Sequence, residues 1–327
     1  MKVTYIFRKK KSGYHSVEKV YRDVGDKLKT RGVNIKYEEA PYDSQGVLKR
    51  IANIIYFLKK RDEIVHITGD INYVALNFNE KIILTILDCV MLNKLSGIKK
   101  IIYKYFWLII PAYYSKKIIV LSNQIKNELV TQIGINENKI IVIPVGLSSK
   151  FTKIRKIFNS KNPYILIVGT AWNKNLHRCF ESLKDINCTV TILGNLSELD
   201  IEHLNNNDII YDNYFDITEQ EVCEKYANCD ILLFPSLYEG FGMPIIEANA
   251  IGRPVITSKL EPMIEVGNEA ACYVDPLKVI EIRNALIKII TNDDYRNELI
   301  EKGFSNAENY NLSKISEKYL NLYMELK

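Results

Sequence analysis

Residues 229–258 read CDILLFPSLYEGFGMPIIEANAIGRPVITS. The run Ile231-Leu232-Leu233-Phe234-Pro235 is apolar on both faces and reads as a buried strand. A glycine-rich turn follows, Glu239-Gly240-Phe241-Gly242-Met243. Pro244 then fits the first position of a helix, where its missing N–H costs nothing. That helix is expected over 244–250 and leads into a second apolar run, RPVITS (253–258). Strand, turn, helix and strand in this order predict parallel strands with helices covering the sheet.

The same alternation runs along the whole chain. Upstream, KVTYIF (2–7), GVNIKY (32–37), EIVHIT (63–68), KIILTIL (81–87), KKIIVLS (116–122) and KIIVIP (139–144) read as strands rich in Ile and Val. Between the first two, residues 16–30 form a helical pattern with Ser16 as cap and Val17, Val20, Val24 and Leu28 as its apolar stripe. A polar, basic stretch with little periodicity covers 146–162, and a fresh series then begins at PYILIVG (163–169). It continues through CTVTILG (188–194) and DIIY (208–211) to the quoted stretch; Thr218 and Glu221 are spaced as a capping box for the helix before it. The expected organisation is two doubly wound α/β domains, 1–149 and 163–306, joined by a linker over 150–162. A last helix within 307–327 follows after the second domain already looks complete, and is expected to pack back on the first.

Composition bounds the function. At about 150 residues per domain, 327 residues suit two domains. A hydrophobic content of 47% with 25% charged residues is that of an ordinary globular enzyme. Six cysteines show no C-x-x-C spacing and read as reduced thiols of a cytoplasmic protein. The opening strand is followed by Arg8-Lys9-Lys10-Lys11, which is no signal core. The net charge of +5 conceals a split: residues 1–150 hold 26 Lys and Arg against 13 Asp and Glu, the remainder 18 against 26. A first half at +13 points to an anionic partner, such as a phosphate-bearing acceptor or an anionic membrane surface. A lysine-rich solvated surface accounts for it equally well. Nucleic acid is disfavoured, since no zinc finger, RNA-binding signature or basic helix is present. The segment IIYKYFWLIIPAYY (101–114) is too short for a membrane span and is broken by Lys104 and Pro111. It reads as a core helix, with an interfacial contact as the alternative.

The turn at 239–243 has the chemistry of a ligand site. In a parallel sheet it sits at the carboxyl end of a strand, where open α/β folds bind ligands. Glycines let the backbone approach a ligand, and amides at a helix start suit an anion. Glu239 cannot serve an anion but suits hydroxyls, and Glu247, one turn into the helix, suits a ribose diol. Diphosphate on amides and hydroxyls on carboxylates describe a nucleotide sugar.

With that reading in place, EGFGMPIIE (239–247) resembles the E-x7-E motif of retaining glycosyltransferases of the GT-B fold, the family 4 (group 1) type. VGTAWNKNLHRCFESL (168–183), EVCEKYANCDILLFPS (221–236) and EVGNEAACYVDP (265–276) are similar to the flanking segments of that family. HITGDINYVAL (66–76) and ILTILDC (83–89) are similar to the acceptor half of one bacterial subgroup. The resemblance implies two Rossmann-like doubly wound parallel-sheet domains facing across a cleft. The second would bind a nucleotide-diphosphate sugar and the first a glycan or lipid-linked acceptor, in bacterial surface polysaccharide synthesis at the inner face of the membrane. No cofactor and no metal would be needed; the sequence has no D-x-D, and His15, His66, His177 and His203 lack ligand spacing. The catalytic residues implied are Glu239, Lys174 and Asp88. Lys174, with Gly169, Thr170 and Asn175, would face the diphosphate; Gly240, Phe241, Gly242, Met243 and Pro244 would hold sugar and phosphate; Glu247 would hold the ribose. Gly13 would bring backbone near the phosphates, and His66 and Asp70 would lie on the acceptor side.

Two departures from the family pattern matter. Thr170 and Asn173 stand where the family usually has an Arg and a basic residue before the Lys, and Leu87, before Asp88, takes the place of a usual His. These departures keep two other readings open: a GT-B protein without turnover acting as a binding partner, and a nucleotide-sugar epimerase. A dehydrogenase is disfavoured, because neither FRKKKSGYHS (7–16) nor GTAWNKN (169–175) is a G-x-G-x-x-G.

Overall fold

The computed structural model describes residues 1–9, 16–58, 63–76 and 81–327. It divides into two compact units: Met1–Ser148 with Leu312–Lys327, and Ser149–Asn311. Gly13 lies outside the described residues, as does the side chain of Ser16 with its expected capping role.

Unit 1 is built on a six-stranded parallel sheet. Its strands are β1 (Lys2–Phe7), β2 (Asn34–Glu39), β3 (Ile64–Ile67), β4 (Ile82–Ile86), β5 (Lys117–Val120) and β6 (Ile140–Val142), in the spatial order β2-β1-β3-β4-β5-β6. The central strands β3 and β4 are buried along their whole length, which is why their sequences are apolar without alternation. The helix Ser16–Lys29 lays Val24 and Leu28, both fully buried, on the sheet. The final helix, Leu312–Glu325, completes the same core with Ile315, Tyr319, Leu322 and Tyr323.

Unit 2 repeats the plan with β7 (Tyr164–Val168), β8 (Thr189–Leu193), β9 (Ile210–Tyr214), β10 (Ile231–Phe234), β11 (Val255–Ser258) and β12 (Cys272–Val274), ordered β12-β11-β10-β7-β8-β9 and all parallel. β12 has three residues, and the sequence reading omits it. The Thr218–Glu221 capping box is present, each side chain bonding the other's backbone.

Two expectations change. The stretch 151–162 is no free linker. Lys156 Nζ donates to Asp230 Oδ1 at 2.6 Å and Phe151 packs on Tyr226, so this irregular segment is held against unit 2. The segment 101–114 is no core helix. It forms three short helical pieces, Gly97–Tyr103, Lys104–Ile109 and Ile110–Tyr114, in which Leu108, Pro111 and Ala112 are buried while Ile101, Ile102, Tyr105, Phe106 and Tyr113 are at least half exposed. No helix among the described residues is long and apolar enough to cross a membrane.

Candidate functional site

In unit 2 the strand order reverses between β7 and β10: from β7 the chain moves outward to β8 and β9, from β10 the other way to β11 and β12. Connections leaving such a switch point diverge, and open a crevice at the carboxyl ends of the two strands. The loops after β7 and β10 carry the residues read from sequence. After β7, Gly169 has φ +89, and a Cβ there would lie 2.7 Å from Lys174 Cε, so only glycine lets the lysine fold back over the loop. Lys174 closes a 3-10 turn, Trp172–Lys174, and its Nζ lies 2.7 Å from Glu239 Oε1 in the loop after β10. The two side chains are only 16% and 13% exposed, and Nζ also sits 4.6 Å from the ring centroid of Phe234 at the end of β10.

Backbone and amide contacts fix this pair. Leu237 N donates to Asn173 O at 2.8 Å, and Asn173 Nδ2 donates to Tyr238 O at 2.8 Å and Glu239 Oε1 at 3.3 Å. Asn175, at φ +59 and buried, donates its Nδ2 to Pro235 O (3.1 Å) and Pro276 O (2.6 Å). It therefore ties the β7 loop to the loops after β10 and β12, and accepts from Arg178 Nη1 at 3.0 Å. Thr170 Oγ1 donates to Asn195 O. The helix after the glycine turn spans Met243–Ile251, with Gly242 at φ +106 as its cap and Pro244 in its second position rather than its first. The chain at Gly240–Met243 thus runs into a helix N-terminus, where amides and the helix dipole favour an anion.

Glu247, half-buried on that helix, accepts from Tyr226 OH at 2.6 Å. Burial and the neighbouring Glu247 charge push the Tyr226 phenol well above its ordinary range, so it stays a donor and orients the carboxylate. Tyr226 was not singled out from sequence; its place in the turn of helix Glu219–Asn228 facing Glu247 is a tertiary fact.

Unit 1 has its own switch point, between β1 and β3. Arg8 follows β1 and Asp70 follows β3, at φ +59. Arg8 Nη1 lies 2.9 Å from Asp70 Oδ2, and Arg8 Nε 2.7 Å from Glu18 Oε1. Burial alone would lower the Arg8 guanidinium; the two carboxylates outweigh it and hold it above its ordinary value. The sequence reading took Arg8 only as the start of a basic run and passed over Glu18. Asp88 Oδ1 accepts from Val90 N at 3.0 Å, at the start of the helix Val90–Lys94. Asp88 and Asp70 both face Tyr103, whose phenol is pushed up by burial first and then by these charges. Leu87 Cδ1 lies 2.8 Å from where a Cβ on Gly69 would be, filling the space over the turn that precedes Asp70.

His66 is not an acceptor-side residue. It is fully buried in β3, with Nδ1 2.7 Å from Tyr323 OH and Nε2 2.8 Å from Thr85 Oγ1. Rings of Tyr5 and Tyr21 stand edge-on to it. Both nitrogens are used by the core, and burial pushes the imidazole down to about 3. Among the described residues no group of three or more His, Cys, Asp or Glu is placed to hold a metal.

Residues 149–306 match the family model of the glycosyl transferases group 1. A curated relative is the N,N'-diacetylbacillosaminyl-diphospho-undecaprenol alpha-1,3-N-acetylgalactosaminyltransferase of Campylobacter jejuni, 26% identical over 226 residues, or 62% of this chain. The chain spans 59% of that relative's own length. Among solved structures, a glycosyltransferase from Rickettsia africae superposes with a TM-score of 0.78 at 19% identity, over 99% of this chain and 98% of that one. HepE of Anabaena, solved with UDP and glucose, gives 0.75 at 12% identity, over 99% of both chains. At such identities the likeness shows the fold alone, two Rossmann-like units of the GT-B class, and the family match covers the second of them.

Proposed function

We propose that the protein is a retaining, nucleotide-sugar-dependent glycosyltransferase of bacterial surface polysaccharide synthesis, whose acceptor is a glycan carried on a lipid phosphate. The observation that carries the reading is the Lys174–Glu239 pair at the switch point of unit 2, beside the glycine turn and helix N-terminus. Lys174 and the amides of Gly240–Met243 would hold the diphosphate, Glu239 the sugar hydroxyls and Glu247 the ribose. In the reaction the bond from the sugar's anomeric carbon to the diphosphate breaks. The acceptor oxygen bonds to the same face of that carbon, and its proton passes to the departing phosphate. Charge then accumulates on the leaving diphosphate, where the Lys174 ammonium stabilises it and no metal ion is required. The HepE complex with UDP and glucose supports a nucleotide sugar, and the diphospho-undecaprenol in the relative's name supports a lipid-linked acceptor. Arg8, Asp70 and Asp88 in unit 1 are the acceptor-side residues of this reading. The basic first half would hold the protein reversibly on an anionic membrane surface, at its inner face.

The test is a thermal-shift and hydrolysis screen with UDP-, GDP-, dTDP- and ADP-sugars on the wild type and Glu247→Ala. One sugar nucleotide should stabilise the wild type and be slowly hydrolysed. Glu247→Ala should bind it about 10- to 100-fold more weakly, the value of losing hydrogen bonds to a charged group. Binding without any hydrolysis or transfer would favour the non-catalytic partner instead, the reading suggested by Leu87 and Thr170 at the family's usual His and Arg positions. Interconversion of the sugar without an acceptor would mark an epimerase.

A further inference from the structure

Unit 1 contains a cavity of about 730 Å³ beside its switch point. Its walls come from the helix Val47–Leu58, the turn Asn72–Leu76 and the helical pieces within 90–109. Ile51, Ile54, Tyr73, Ile102, Phe106 and Trp107 line it, and Asp70 lies at its edge. Two features set it apart from an ordinary surface hollow. The first is composition: stable folds seldom leave so many large apolar side chains in water, yet Ile51, Ile102 and Phe106 are 45%, 52% and 55% exposed. The second is charge. The segments 47–58 and 90–109 carry Lys49, Arg50, Lys94, Lys99, Lys100 and Lys104 and not one Asp or Glu.

We propose that this cavity takes the hydrocarbon chain of the lipid phosphate that carries the acceptor glycan. The inference rests on the transferase reading above and adds the site and the chemistry of the carrier. A hydrocarbon chain matches the apolar walls, and the volume suits a drug-sized portion of a chain, three or so isoprene units, rather than a whole carrier lipid. Of these cations Arg50 and Lys99 line the cavity, and they complement the phosphates that join chain to glycan. Asp70 belongs both to the cavity's edge and to the switch point, so a chain seated here would lead its glycan toward the acceptor-side carboxylates. A flat bilayer surface would use the exposed apolar side chains but would have no use for a concave groove between them.

Trp107 reports on the cavity directly, and the only other tryptophan, Trp172, is in unit 2. The full chain with Trp172→Phe is titrated with farnesyl diphosphate below its micelle concentration, following Trp107 emission. A saturable change is expected. Ile51→Asp and Ile102→Asp should weaken it at least tenfold; both positions are exposed, so folding should survive, as thermal melting would show. Leu48→Asp is the control, 83% exposed on the same helix but outside the cavity, and should bind as before. Inorganic diphosphate competing as well as farnesyl diphosphate would reduce the site to a phosphate patch and overturn the proposal. So would the absence of saturation together with binding to phosphatidylglycerol vesicles that Leu48→Asp abolishes, since the face would then be a membrane contact. No sugar nucleotide enters the experiment. Failure of donor binding would therefore overturn the transferase reading, and failure here would leave that reading intact.

Discussion

Lys174 is the residue on which the proposed chemistry turns, because in that proposal its ammonium would face the leaving group. Lys174→Ala should lower kcat by about 10²- to 10³-fold, the usual cost of losing one preorganised charge stabiliser, with a smaller change in KM. Activity of the wild type should persist in EDTA, and a loss there would show that an ion and not the lysine carries the charge. His66 supports a different measurement. Its folded imidazole titrates near 3 against about 6.5 in the unfolded chain, so below pH 6.5 only the unfolded state takes up the proton. Stability is then complete above pH 6.5 and falls as pH drops toward 3. Wild-type unfolding free energy should decline more steeply than that of His66→Gln, by up to about 1.4 kcal/mol per pH unit. Denaturant melts at pH 7, 6, 5 and 4 measure the difference; parallel slopes would refute it. These two residues also mark what a sequence yields at this scale. Glu239 could be nominated because its glycine turn is a local signal, and Lys174 because its segment resembles the family's. Arg8, Glu18 and Tyr226 could not, because each acquires its partner only through the fold, and His66 was misplaced because its burial depends on a tyrosine 257 residues away.

At the level of elements, parallel strands were the legible feature. Buried on both faces, they are written as unbroken Ile and Val runs, and β3, β4, β7 and β10 could be found that way. The segment 101–114 was written in the same apolar alphabet but forms helical pieces with half of their large side chains in water. Periodicity alone does not separate a core element from a surface waiting for an apolar ligand. The final helix illustrates packing that no local signal announces. Its Ile315, Tyr319, Leu322 and Tyr323 are buried among the unit 1 core, and Tyr323 OH donates to Tyr5 OH at 2.9 Å. Deleting residues 312–327 should expose that core and leave buried His66 with a nitrogen unpaired. At about 2–5 kcal/mol for each large side chain removed, the loss exceeds the stability of an ordinary domain. Unit 1 should then lose its cooperative melt while unit 2 keeps its own, a distinction calorimetry can make.

The whole molecule is electrically divided, with +13 in residues 1–150 and −8 in the remainder. Charge of one sign gathered in one part of a protein raises its encounter rate with oppositely charged surfaces and falls away within about 8–10 Å of screening at ordinary salt. The protein should therefore bind vesicles containing phosphatidylglycerol at low ionic strength and leave them as salt rises toward 0.5 M, while neutral vesicles bind weakly throughout. Sedimentation with vesicles measures this. Retention that is unchanged by salt would assign the attachment to the apolar side chains around Phe106 rather than to charge.

The helix Leu312–Glu325 belongs to unit 1 although all of unit 2 is encoded before it. On the ribosome this inverts the expected sequence of events. Residues 149–311 are contiguous and can fold as soon as they emerge, whereas residues 1–148 must wait for 312–327 to be translated before their core closes. During that interval the Tyr5–Tyr21–His66 cluster and the apolar face reserved for Ile315 and Leu322 stand open to chaperones and proteases. A stalled or prematurely stopped chain would therefore carry a finished second half on an unfinished first, and quality control would recognise it by its amino-terminal end.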